Sequence, residues 1–439
     1  MSRKISVFRG REAGGKLAGG ATKIPPQINL SKNIKFFARK ICKAENYIYF
    51  CYRITLKLPA MNTSTTSNRL VWVDFLRLVA MLMVIAAHCT DMYNAAPQED
   101  PLGGFWGSFI GSFMRPSVPL FAMMTGLLLL PVKGSATEFY RKRIPRVVIP
   151  MVVWSVINYM IPWLTGVIGM DKSAISVMFP YVYEPSQELG EALSNISMIP
   201  FTFNFYTTHM WYLYMLVGLY LFMPFFSAWV EKGDRSLSRI YIILWGASLL
   251  LPYLSIVISP FIFGACHWNA YGTFHYFAGF TGYMLLGHLL AKGNPLATRK
   301  IVVLGSLLYF AGYIITYMGF STISAEYTYA EAPELTQLFW QFCSPNVALM
   351  ALGVFLIAQR VKITSPRVQA ILASTTKCSF GAYLMHYAII GPVILTVLPL
   401  RLPTPLSILC SVILVFSICW GLTALIYKIA PKYAKYIVG

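Results

Sequence analysis

The stretch that decides the fold is Val71 to Tyr93, VWVDFLRLVAMLMVIAAHCTDMY. At a rise of 1.5 Å per residue, about twenty apolar residues in a helix cross the roughly 30 Å hydrocarbon core of a bilayer. This stretch is long enough, yet it holds Asp74, Arg77 and His88. A charged side chain in hydrocarbon costs at least about 2.5 kcal/mol, so it persists where it faces a bundle interior or a water-filled cavity. Arg77 and His88 stand eleven residues apart. That is about three helical turns, which puts them on nearly one face, roughly 16 Å apart along the axis.

Composition carries the same reading to the whole chain. Of 439 residues, 57% are hydrophobic and only 12% charged, with a mean hydropathy of +0.60. A soluble domain carries about 25% charged residues. The apolar runs are continuous rather than alternating, which excludes a transmembrane β-barrel. The expected fold is an all-α, polytopic membrane helical bundle. The net charge of +20 does not point to nucleic acid. Thirteen Lys and Arg against Glu12 and Glu45 precede Met61, most others sit in short connections, and no nucleic-acid-binding motif accompanies them. The eight cysteines are scattered, without a C-x-x-C or a histidine at ligand spacing. Neither a disulfide framework nor a metal site is expected.

Residues 1–60 are basic and lack the ordered regions of a signal peptide. They read either as an arm on anionic lipid or, preferably, as a dispensable extension or mis-set start before Met61. Residues 61–439 are then the transmembrane domain. About ten spans are expected, near 71–93, 104–130, 146–169, 209–230, 239–260, 272–291, 300–319, 337–358, 379–398 and 405–428. Basic connections such as KGSATEFYRKRIPR (Lys133 to Arg146) alternate with acidic or neutral ones such as Asp171 to Thr208. The positive-inside rule then puts both termini in the cytoplasm, Arg77 toward that side and His88 toward the outer face. The loop of about 40 residues after the third span is long enough to hold a short helix.

Taken singly, Arg77 reads equally as a side chain snorkelling to headgroups and His88 as an interfacial residue. Arg115 weakens that reading. It lies near the middle of the second span, in SFMRPSVPLFAMMTG, beyond snorkelling reach, where Pro116 and Pro119 interrupt the backbone ladder. Asp74 precedes Arg77 by three residues and is placed to pair with it. His209 with Trp211 reads either as an acceptor-orienting site or as part of an aromatic belt.

Asp74, Arg77, Ala80 and His88 resemble the opening signature of the acyltransferase 3 family of integral-membrane O-acyltransferases. Arg115 with Ser117 to Phe121 and Thr125-Gly126 is similar to that family's second-helix motif, and Tyr140 to Arg146 with Pro150 to its first cytoplasmic loop. His209-Met-Trp211, with Leu219-Tyr220 and Pro224, looks like its fourth-span motif, and Ser379 to His386, including Tyr383, like a late one. The matches run in order from about Leu70 to the end. Two departures stand out. Phe121-Ala122 replaces a pair of phenylalanines and Thr125-Gly126 replaces Ser-Gly, and the hydrolase-like C-terminal domain of some relatives is not expected here.

The resemblance implies a stand-alone surface-polysaccharide O-acetyltransferase of the bacterial inner membrane, of the type that modifies enterobacterial common antigen, lipopolysaccharide or another surface antigen. Acetyl-CoA would be the cytoplasmic donor and a glycan or lipid-linked saccharide the outer acceptor, with no metal. Arg141, Lys142, Arg143 and Arg146 are candidates for the nucleotide phosphates, since guanidinium groups bind them bidentately. Arg77 and Arg115 would hold the pantetheine-phosphate region or polarise the thioester carbonyl. His88 would be the general base, because histidine titrates near pH 6.5; an acyl-histidine is the less favoured variant. His209, Trp211 and Tyr383 are the acceptor-binding candidates. A secondary transporter for a glycan or acylated molecule is the rival, but it calls for symmetric halves with paired broken helices, and the ionisable residues cluster instead in the first two spans and the loop after them.

Overall fold

The computed structural model describes residues 70–95, 100–180, 182, 184–233, 235–291, 293, 295–329 and 331–439. The expectation for residues 1–60 lies outside the described residues. Among those described, every element is helical apart from one isolated bridge between Cys266 and Asn269.

The principal helices are α1 (Val71–Cys89), α2 (Pro101–Met114), α3 (Ser117–Leu129), α4 (Ala136–Val167), α5 (Trp211–Glu231), α6 (Arg235–Ser248), α7 (Thr281–Leu290), α8 (Thr298–Glu326), α9 (Pro345–Ala358), α10 (Pro366–Val397) and α11 (Thr404–Ile429). Eight stretches among the described residues are long and apolar enough to cross a membrane, α2 and α3 together making one of them. The expected sixth and eighth spans are shorter, at 10 residues in α7 and 14 in α9. Gly279 at φ 91° precedes α7, and Pro345 opens α9. At 1.5 Å per residue both fall well short of about 30 Å. The long loop after α4 holds two short helices, Lys172–Met178 and Leu189–Ser197.

Helix α1 lies at the centre of the bundle. Its Met81, Val84 and Ile85 enter one core with Leu213 of α5, Leu384 of α10 and Val415 of α11. Its Val73, Leu76 and Ala80 enter another with Met123 of α3, Met284 of α7 and Phe355 of α9. A helix apolar on all sides is a buried helix, so its few ionisable residues meet protein rather than lipid. Lipid tails are as apolar as leucine, so close packing rather than the hydrophobic effect holds such helices together. At the crossing of α3 and α7, a Cβ on Gly126 would sit 1.8 Å from the Met284 carbonyl oxygen, and one on Gly287 2.0 Å from that of Met123. Only glycine permits this contact. Exposed Phe225, Ile243, Leu307, Phe310 and Ile413 lie on the outside, as lipid contact requires.

Candidate active site

Both cavities that matter border α1. At its C-terminal end a cavity of about 300 Å³ is lined by His88, Asp91, Arg115, His209 and Trp211. Toward its N-terminal end a cavity of about 390 Å³ is lined by Arg77, Arg143, Arg146, Tyr220 and Lys377. Tyr212 and Tyr383 line both. The eleven-residue spacing on one helix therefore sorts the cation and the imidazole into two adjoining chambers.

His88 sits in the last turn of α1. Thr90 closes that helix, its N–H donating to Ala86 and Ala87, and Asp91 opens the short helix Asp91–Ala95. The Asp91 carboxylate accepts a hydrogen bond from His88 Nδ1–H at 2.7 Å. An ionised carboxylate only accepts, so the imidazole proton belongs on Nδ1 and Nε2 keeps its lone pair. The two side chains are 21% and 14% exposed, neither sealed nor fully wet. The carboxylate thus holds the imidazole in one tautomer.

Arg115 occupies the break between α2 and α3, where Pro116 lacks an N–H for the ladder. Its Nε donates to the Trp340 carbonyl at 2.9 Å, and Nη2 donates to the same oxygen. The guanidinium lies 4.2 Å from the Phe342 ring centroid and 4.9 Å from that of Trp340. The mid-span position expected from sequence holds. The expected company does not: Arg115 shares a cavity with His88, whereas Arg77 shares the other with Arg143 and Arg146. Arg141 is exposed and lines neither, while Lys142 and Arg143 border a third cavity with Lys133. Asp74 is buried one turn before Arg77.

His209 lies inside the bundle, only 1% exposed, rather than in an interfacial belt. A short 3-10 helix, Phe205–Met210, carries it there, with Asn204 and Thr207 forming a reciprocal cap and Thr207 at φ −130°, ψ 32° kinking the entry to α5. His209 Nε2–H donates to the Leu384 carbonyl at 3.3 Å, and the Tyr383 hydroxyl donates to the His209 carbonyl. Trp211 stacks on Phe342 with centroids 5.3 Å apart.

Sequence reasoning passed over three participants. Asp91 was inside the quoted stretch, and its i+3 spacing from His88 is the signal that identifies it. His386, named from the sequence only as the end of a late motif, has ring-centroid distances of 5.3 Å to His88 and 5.0 Å to His209. Its Nδ1–H donates to the Tyr383 carbonyl. Tyr387 lies against both His88 and His209, at 5.4 and 5.0 Å. His209 Nδ1 and His386 Nε2 are buried without a hydrogen-bond partner. The described residues hold no cluster of three or more His, Cys, Asp or Glu fit for a metal ion.

An imidazole fixed by a carboxylate, a guanidinium on the same cavity and a cationic chamber next door are compatible with group-transfer chemistry. Among known proteins, the model of a family described as an acyltransferase domain matches residues 70–424. No curated protein matches the chain, and no solved structure does. The matched stretch runs from the start of α1 into α11 and takes in the lining of both cavities apart from Gly439, so the chain belongs to the acyltransferase 3 family and is a multi-pass membrane acyltransferase.

Proposed function

We propose that this protein transfers an acetyl group from cytoplasmic acetyl-CoA to a hydroxyl of a surface glycan or lipid-linked saccharide, across a bacterial inner membrane. The observation that carries this reading is the placement of Arg77 and His88 on one helix, in two cavities that meet at Tyr212 and Tyr383. The cation-rich cavity suits a donor with several phosphates, and the histidine cavity suits a neutral polyol. Eight crossings among the described residues would put Leu70 and Gly439 on one side. Gly439, at the C-terminus, lines the same cavity as Arg77, and the positive-inside rule makes that side the cytoplasm.

Arg77, Arg143 and Arg146 bind the donor phosphates, and Arg141, exposed on the same turn of α4, adds positive potential at the mouth. The thioester arm reaches past the two tyrosines to Arg115, which polarises the thioester carbonyl and stabilises the oxyanion. His88 Nε2 takes the proton of the acceptor hydroxyl while Asp91 holds Nδ1–H. The acceptor oxygen bonds to the carbonyl carbon, the carbon–sulfur bond breaks, and the proton passes from His88 to the departing thiolate. His209, Trp211 and Tyr383 position the acceptor; Trp211 offers it a ring face.

Mass spectrometry of surface glycans from cells carrying the intact gene, a deletion or His88→Ala tests this reading. The intact gene should add acetyl-sized mass that the other two lack. Equal acetylation in all three would end it.

A further inference from the structure

Lys377 is the cation that α10 adds to the arginine cavity, whose lining holds no aspartate or glutamate. Beyond Arg367 it is the only Lys, Arg, Asp or Glu in that helix. A lysine kept only for topology would run its stem along lipid toward the headgroups. Lys377 instead lines the cavity, with its Nζ 4.3 Å from the ring centroid of Tyr427 on α11. No carboxylate pairs with it among the described residues. A ring face holds an ammonium in place without neutralising it, so its charge and N–H donors stay available to an anion. Tyr427 is itself fixed: its hydroxyl donates to the Gly439 carbonyl at 2.8 Å. Trp154 of α4 donates its Nε1–H to the Ile437 carbonyl at 2.8 Å, and Ala434 and Val438 are wholly buried. The segment 434–439 thus ties α4 to α11 beside the cavity that Gly439 lines.

We infer that Lys377 is a further donor-binding residue, taking a phosphate group of the nucleotide, and that Tyr427 is the residue that positions it; this rests on the donor reading above. The nucleotide of a CoA thioester carries a diphosphate and, on the far side of its ribose, a phosphomonoester of charge about −1.5 to −2 at pH 7. Arg143 and Arg146 are three residues apart on α4, so they share one face and serve one wall. Phosphate groups separated by a sugar need cations from more than one wall, and α10 supplies one through Lys377. A lysine suits this task as a point charge that needs no fixed fork geometry. The Tyr427 ring keeps that charge at the cavity while no ligand is there, which lowers the ordering cost of binding.

The test uses inside-out membrane vesicles from cells expressing the full chain and its native acceptor. They are supplied with labelled acetyl-CoA or with labelled acetyl-pantetheine, which has the same thioester arm and no phosphate. The quantity read is the ratio of kcat/KM for the two donors. Lys377→Met keeps the length and removes the charge, and should lower the ratio about two- to fivefold through the KM for acetyl-CoA. Tyr427→Leu should lower it by a similar factor, and Tyr427→Phe, which keeps the ring under the ammonium, should restore it. In the Lys377→Met background Tyr427→Leu should lower it no further, since the two residues act as one unit. Should Tyr427→Leu fail to fold, Lys377→Met and Tyr427→Phe decide. An unchanged ratio in Lys377→Met, or an equal loss with both donors, overturns the inference and leaves the donor reading standing; the equal loss would make Lys377 a structural or headgroup contact. A wild-type ratio in Tyr427→Leu overturns the positioning role. A wild type that uses both donors equally well, or neither, defeats the donor reading itself, and this inference with it.

Discussion

Asp91→Asn is the most discriminating change at the site, because it removes one charge and almost no volume. In the native protein the carboxylate accepts from His88 Nδ1–H at 2.7 Å, with the pair mostly shielded from solvent. A hydrogen bond to a charged partner contributes about 1.5–3 kcal/mol and a neutral one about 0.5–1.5. The substitution therefore removes roughly 1–2 kcal/mol of support for the imidazolium that forms as the acceptor proton moves. At 1.4 kcal/mol per tenfold in rate, that is about a 5- to 30-fold loss in kcat. The amide can also turn its NH₂ toward Nδ1. The ring proton then moves to Nε2, the lone pair facing the acceptor is consumed, and the loss grows toward the 10²–10⁴ range of a missing general base.

The assay is transfer of labelled acetyl from acetyl-CoA to envelope saccharide, with detergent-extracted protein checked by size exclusion for intact folding. His88→Ala should cost about 10²–10⁴-fold. In that background Asp91→Asn should cost almost nothing more, since residues acting as one unit are not additive. Two results refute the reasoning: wild-type kcat in Asp91→Asn alone, or a full additional loss when both changes are combined. The second would mean that Asp91 acts on something other than His88.

Three further outcomes are expected. Arg115→Ala should lower kcat by about 10²–10³-fold, the scale of one lost oxyanion donor. Arg115→Lys should recover only part of this, because an ammonium lacks the planar fork that gives the Trp340 carbonyl two N–H groups while the charge stays close to the Trp340 and Phe342 rings; full recovery would show that charge alone suffices. Arg143→Ala and Arg146→Ala should each raise the KM for acetyl-CoA about two- to fivefold with kcat little changed, modest because solvent screens these groups; a change confined to kcat would place them elsewhere in the reaction. Gly126→Ala should destabilise by about 1–3 kcal/mol or more, since the new methyl group would overlap the Met284 carbonyl at 1.8 Å. Thermal unfolding in detergent should show a Tm lowered by several degrees, and an unchanged Tm would mean that the α3–α7 crossing is looser than drawn.

What was legible in the sequence was local. The membrane class, the central α1 and the break at Arg115–Pro116 follow from runs, spacings and two prolines, each readable within a dozen residues. Span lengths were less legible, because hydropathy does not register that Gly279 and Pro345 delay α7 and α9. Partnerships were the least legible. The carbonyl and rings that hold Arg115 come from Trp340 and Phe342, more than two hundred residues away, and no periodicity links them. Arg77 and Arg115 look equivalent as cations in hydrocarbon. Only the packing of α5 and α10 between them, through Tyr212 and Tyr383, puts one with the arginines of α4 and the other with His88.

The histidine cluster shows why packing alone does not account for this interior. A buried acceptor without a donor costs about 1–3 kcal/mol, and His209 Nδ1 and His386 Nε2 are two such atoms. Together they take a visible fraction of the roughly 5–15 kcal/mol that separates folded from unfolded states. Leucine or phenylalanine at either position would fill similar space without that cost. Local rules of this kind are broken mainly where function requires it, and here the breach lies beside His88, whose imidazole is held by the Asp91 carboxylate. His209 borders the cavity through its ring, while its bare Nδ1 is turned into the packed interior. His386 lines neither of the two cavities; its ring packs against those of His88 and His209, and its Nδ1–H donates to the Tyr383 carbonyl one turn back on the same helix.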